Sequence, residues 1–130
     1  MKPYDIASVR ERFRTLSTRA NEQLGMFNSE SIGIGRYVAG KSPWERHSNG
    51  DELLLVTDGE VQVEILDADG TSTIEALTND TLFVVPKGKW HQLTATDNVN
   101  IFYISPSEDG VERTRGHPFD GGDPPENRNR

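Results

Sequence analysis

Residues 60–65, Glu60-Val61-Gln62-Val63-Glu64-Ile65, alternate polar and apolar side chains without a break. An extended strand with one wet face and one buried face satisfies that pattern, because strand side chains change face at every residue. Stretches of β-prone residues on the same scale occur at 32–38, 52–57, 73–76, 82–85, 92–96 and 100–104. Turn-forming clusters separate them: Thr57-Asp58-Gly59, Asp67-Ala68-Asp69-Gly70, Thr78-Asn79-Asp80 and Asp97-Asn98. Short strands roughly ten residues apart build a sandwich or barrel, not helix-alternating parallel units. The spacing is too irregular for a repeat protein. The pattern specifies one all-β barrel.

The two ends differ from this middle. Ile6, Val9, Phe13, Leu16 and Ala20 recur at helical spacing behind Asp5, a suitable N-cap. They predict a helix of about four turns lying on the outside of the barrel. From Pro106 the chain is rich in Gly, Pro, Asn and charge, with Val111 and Phe119 as its notable large apolar residues. Such a segment does not repay its ordering entropy alone, so disorder is expected, with wrapping around a partner subunit as the alternative. The expected organisation is an N-terminal helical extension over 1–24, a barrel over 25–105 and a polar tail over 106–130.

Charge follows the same division. The chain has 130 residues and a net charge of −7. The extension carries a small positive excess and the tail a small negative one, so the whole deficit sits in the barrel segment. Neutralising phosphates takes clustered Lys and Arg, which excludes nucleic acid as the barrel's partner. No apolar run approaches the ~18 residues of a spanning helix, so no membrane partner is expected. The first residues lack the apolar core of a secretory signal, and acids among the early arginines argue against a transit peptide. The expected location is cytoplasmic. With no cysteine, disulfides, thiolate ligands and cysteine nucleophiles are all excluded.

Two short segments carry the chemistry. The first runs Glu45-Arg46-His47-Ser48-Asn49-Gly50-Asp51-Glu52; the second is Pro86-Lys87-Gly88-Lys89-Trp90-His91. In an extended chain Glu45 and His47 share a face. The turn at Ser48-Asn49-Gly50-Asp51 can return Glu52 over that face, and a barrel lets His91 converge from across the interior. Two imidazoles with one or two carboxylates suit a divalent transition metal with open positions. There is no Ser-His-Asp pattern, and a glycosidase-like pair from Glu45 and Glu52 has no accompanying sign of sugar specificity.

These segments resemble the two motifs of the cupins, small jelly-roll barrels that bind a metal. His47, four residues, Glu52, six residues and Gly59 match the second half of the first family motif, and Pro86-x-Gly88-x-x-His91 matches the centre of the second. The resemblance covers roughly residues 30–105 and implies a double-stranded β-helix, that is, a jelly-roll. It also implies His47, Glu52 and His91 as three of four metal ligands. Glu45 stands where the family has its first His, Asp80 replaces the second motif's opening Gly, and Ala95 replaces its Asn. Glu45 therefore either completes a set of two His and two Glu or turns away and leaves a three-residue set.

The implied cofactor is a divalent Fe, Mn, Ni or Zn ion, and the implied partner a small-molecule ligand inside the barrel. The expected activity is that of a metal-dependent dioxygenase, isomerase or lyase; the alternative is a non-catalytic ligand-binding or sensor cupin with weak or no metal. A homodimer is expected from the resemblance. Phe83, Phe102, Tyr103, Trp44 and Trp90 are candidates for an apolar lining, with Phe102 and Tyr103 on opposite faces. Arg36 and Lys89 read as solvated charges or as holders of an anionic substrate. His117 reads as a tail residue or, alternatively, a cap over the barrel mouth.

Overall fold

The computed structural model describes residues 2–120. In chain order these form helix α1 (Ile6–Arg14), then strands β1 (Ala20–Phe27), β2 (Glu30–Tyr37), β3 (Gly40–Lys41), β4 (Trp44–His47), β5 (Glu52–Asp58), β6 (Val61–Leu66), β7 (Ser72–Leu77), β8 (Leu82–Val85), β9 (His91–Ala95) and β10 (Val99–Ser105). A single 3₁₀ turn at Glu108–Gly110 leads into β11 (Val111–Thr114). Two antiparallel sheets result, ordered β1-β2-β10-β5-β8 and β11-β4-β9-β6-β7, with β3 added against β9. From β4 onward nearly every connection crosses from one sheet to the other, which is the all-β jelly-roll arrangement. Among the described residues no helix is long and apolar enough to cross a membrane.

The alternation in 60–65 does what it promised. Val61 and Val63 point inward and are essentially inaccessible, while Gln62 faces solvent. They meet Leu54 and Val56 from β5, Val85 from β8 and Val99 and Ile101 from β10 in one core cluster between the sheets. Gly59 turns the chain from β5 toward β6 at a φ of +96°, where a Cβ would also stand 2.7 Å from the Asn98 carbonyl oxygen. Only glycine meets both demands.

The ends depart from expectation. Helix α1 is nine residues long, not four turns, and stops at Arg14. The following Thr15, Ser17 and Thr18 favour local hydrogen bonding over helix, and the buried Arg36 guanidinium takes the carbonyls of Arg14 and Leu16. Ala20, expected as the last helical residue, opens β1 instead. That strand pairs along the whole of β2, so the division expected at residues 24 and 25 falls inside a strand. Asp5 does cap the helix, accepting from the Ser8 amide. Val9 and Phe13 bury against Ile34 and Phe102 on the outer face of the first sheet.

The tail is also corrected in part. Residues expected to be disordered include β11, which pairs with β4 from Val111 opposite His47 to Thr114 opposite Trp44. Thr114 is fully buried. A β4 edge with free backbone groups supplies what the segment's composition lacks, a ladder of hydrogen bonds. The expectation for 121–130 lies outside the described residues.

Candidate metal centre

Strand β4 sorts its four residues by period two. Trp44 and Arg46 face outward: Trp44 packs with Leu66 and Trp90, and the Arg46 guanidinium lies 4.7 Å from the centre of the Trp90 ring. Glu45 and His47 therefore face the barrel interior. The turn after His47 brings Glu52 to the first position of β5, and His91 opens β9 directly opposite Glu45. Two hydrogen bonds join the turns that carry the two segments. The Gly88 amide donates to the His47 carbonyl (2.8 Å) and the Lys87 amide to Asp51 Oδ1 (2.7 Å). Gly88 adopts a φ of +79°, which the Pro86-to-Lys89 turn needs at that position. Thus the backbone, not the side chains alone, holds His47 and His91 in register.

All four residues converge. One ligand atom from each of Glu45, His47, Glu52 and His91 lies within 4.8 Å of the others. His91 Nε2 is 3.1 Å from Glu52 Oε1, and the two imidazole rings are 5.7 Å apart. His47 Nε2 lies 2.9 Å from Glu45 Oε1 and 3.4 Å from Glu52 Oε2. Yet both His47 ring nitrogens are buried without a hydrogen-bond partner among the described residues, because these contacts lack hydrogen-bond alignment. Charge attracts His47 to both carboxylates, but neither contact is a hydrogen bond. A buried nitrogen left in that state costs free energy unless something else occupies its lone pair. A divalent ion fits the donor set.

The electrostatics agree. Burial would lower the His47 pKa, but the facing Glu45 and Glu52 outweigh it and raise it to about 10. Burial likewise works to raise the Glu52 pKa, and the two imidazoles overcome that and hold it far below the usual carboxylate range. Burial opposes ionisation at Glu45 as well, and there His47 and Arg113 win, lowering it. At neutral pH the centre is thus a cationic imidazole held between carboxylates, where a dication can take the place of the proton.

Arg113 was absent from the sequence expectations. It comes from β11, opposite Glu45 in the ladder, and its Nε donates to Glu45 Oε2 at 2.6 Å. Its terminal nitrogen grips both Glu108 oxygens. Glu45 therefore does not turn away: one oxygen is held by Arg113 and the other faces His47. The only signal in the sequence was the short alternation Val111-Glu112-Arg113-Thr114 inside an otherwise polar tail. Arg113→Gln is expected to weaken metal binding about 10-fold, in the range for losing a partner that orients a ligand. Chelator competition measures it; an unchanged affinity would show that Glu45 needs no holding.

The centre lies in the wall of a cavity of about 520 Å³, which Glu45, Glu52 and His91 help to line. Comparison with known proteins bears on the architecture around it. No family model matches the sequence, and no curated protein does. Solved structures do. A cupin-2 domain protein from Shewanella frigidimarina superposes with a TM-score of 0.65 at 21% identity, over 80% of this chain and 94% of that one. The fold is that of the cupins. A hydroquinone 1,2-dioxygenase solved with Cd²⁺ and 4-hydroxybenzonitrile matches at a TM-score of 0.63 and 21% identity, over 77% of this chain and 71% of its own. An oxalate oxidase matches at 0.59 and 19%, over 75% and 56%.

Within the cupin barrel the other candidates sort clearly. Tyr103 lines the cavity, while Phe102 packs outside beneath α1, as their opposite faces required. Phe83 packs against the main core. Trp44 and Trp90, expected as lining, belong instead to the outward cluster with Leu66. Arg36 is neither solvated nor near the cavity; it is buried and bonded to Asn100 and the end of α1. Lys89 pairs on the surface with Asp67. His117 stands edge-on to Trp44 outside the barrel, not over its mouth.

Proposed function

We propose that this cupin holds a divalent Fe, Mn, Ni or Zn ion through His47, Glu52, His91 and Glu45 and binds a small molecule in the adjoining cavity. Its activity is that of a metal-dependent dioxygenase, isomerase or lyase. The convergence of one ligand atom from each of four residues, three of them buried, on a His47 ring that has no hydrogen-bond partner among the described residues carries the reading. A bound divalent ion supplies Lewis acidity, polarising a substrate oxygen or lowering the pKa of water. The protein's own part is to fix the donors on strands, hold Glu45 through Arg113 and surround the site with a cavity of ligand size. The likeness to a dioxygenase and an oxalate oxidase supports the class. The test is metal analysis after stripping and repletion with each ion in turn. About one equivalent is expected, and His91→Ala should abolish it. Less than about a tenth of an equivalent would leave a ligand-binding cupin without metal.

The reading includes a homodimer. The outer face of the first sheet carries two cross-strand rows, Ile32–Ile104–Leu53–Val84 and Ile34–Phe102–Leu55–Leu82. Helix α1 covers Ile34 and Phe102, while Leu82 and Val84 are left largely exposed. Residues 121–130 contain no large apolar side chain that could cover the rest. A second copy of the same neutral patch can, without bringing the acidic barrels' charge into the contact. Light scattering at tens of micromolar should give a dimer, and Leu82→Lys with Val84→Lys a monomer; a monomeric parent protein would overturn it.

A further inference from the structure

The cavity beside the metal centre is more cationic than the chain that builds it. Three arginines line it, Arg19, Arg113 and Arg115, together with three glutamates, Glu45, Glu52 and Glu108. These six side chains balance one another. A divalent ion at the centre leaves the cavity with two positive charges in excess, inside a barrel segment whose own sequence is strongly acidic.

The three arginines are not equivalent. Arg113 is fully engaged by Glu45 and Glu108. Arg19 and Arg115 have no carboxylate partner among the described residues. Arg19 instead lies over the face of Tyr37, 5.2 Å from the ring centre, a contact that orients a guanidinium while leaving its donor edge available. Both residues come from outside the barrel segment: Arg19 precedes β1, and Arg115 follows β11. Segments on either side of the barrel thus deliver cations to the cavity lining. The same wall includes Leu54, Leu93 and Tyr103, which suit a short carbon chain.

We propose that the cavity takes a small dicarboxylate, one carboxylate facing the Glu45–His47–Glu52–His91 group and the other held by Arg19 and Arg115. Two negative charges match the excess. The fork of a guanidinium matches a carboxylate in geometry. An apolar wall between two polar ends selects a carbon spacer over a compact inorganic anion. The proposal rests on the metal reading above, since the ion supplies the excess of two positive charges over the lining arginines and glutamates.

Calorimetry on the protein with its metal content determined beforehand tests it, with malonate, succinate and glutarate as probes and succinamide as the neutral control. At least one diacid should bind more than about 10-fold tighter than the diamide. Arg19→Gln with Arg115→Gln should lower that affinity by about 10-fold or more while the metal content stays the same. Both residues are exposed, so the variant folds as the parent does. Metal-loaded protein that binds no diacid, or binds it equally well in the double variant, overturns the proposal and leaves the metal centre standing. Protein that takes up no metal overturns both.

Discussion

Glu52→Gln is expected to lower metal affinity by more than about 100-fold, beyond the loss caused by removing a residue that merely orients a ligand. Glu52 stands between the imidazoles, with one oxygen 3.1 Å from His91 and the other 3.4 Å from His47. Unlike Glu45, it is tied to no arginine among the described residues, so its whole charge is available to a cation. The amide keeps size and shape but removes that charge and one of the two oxygen donors. Glu45→Gln should be milder, about 10-fold, because Arg113 already draws on the Glu45 charge. Chelator competition on the three proteins measures the ranking. Glu52→Gln retaining parental affinity would remove Glu52 from the ligand set, and equal losses at the two positions would make Glu45 a full ligand.

The convergence of Glu45, His47, Glu52 and His91 was legible in the sequence partly from local rules and partly from the resemblance to the two cupin motifs. Period two put Glu45 and His47 on one face once β4 was extended, and turn chemistry at Ser48–Asp51 and Pro86–Lys89 returned Glu52 and His91 toward it. The inward row of β6 followed from the same rule. What could not be read depended on pairing between distant segments. β1 shows no clean alternation, carries a bulge between Gln23 and Gly25, and exists because β2 offers it a ladder. β11 lies in a stretch whose composition argues for disorder and is ordered by the exposed edge of β4. Because β11 was missed, so was Arg113, and with it the reason that Glu45 stays turned inward. Arg36 misled for a related cause: its partners, Arg14 and Leu16 at the end of α1 and Asn100 in β10, all lie far from it in sequence.

Metal affinity should rise about 10-fold per pH unit between pH 7 and 9, and the sign follows from the two shifted groups. His47 titrates near 10 in the metal-free fold, so at neutral pH a proton occupies the nitrogen that the metal requires. Each unit of pH then removes one competitor from the same lone pair. Stability of the metal-free protein runs the opposite way. A histidine whose pKa is raised on folding contributes fully below its unfolded value of about 6.5, and that contribution is lost as pH rises through 10. Glu52, depressed on folding, contributes above about 4.5 and loses its contribution as pH falls toward its folded value. From these two groups the metal-free protein is most stable between about pH 4.5 and 6.5, where neither contribution has been lost. Thermal unfolding with and without Zn²⁺ should therefore give curves that lie close together at pH 6 and separate as pH rises to 9. Metal affinity that stays level from pH 7 to 9 would mean that no proton leaves His47 on binding, and that His47 is not a ligand.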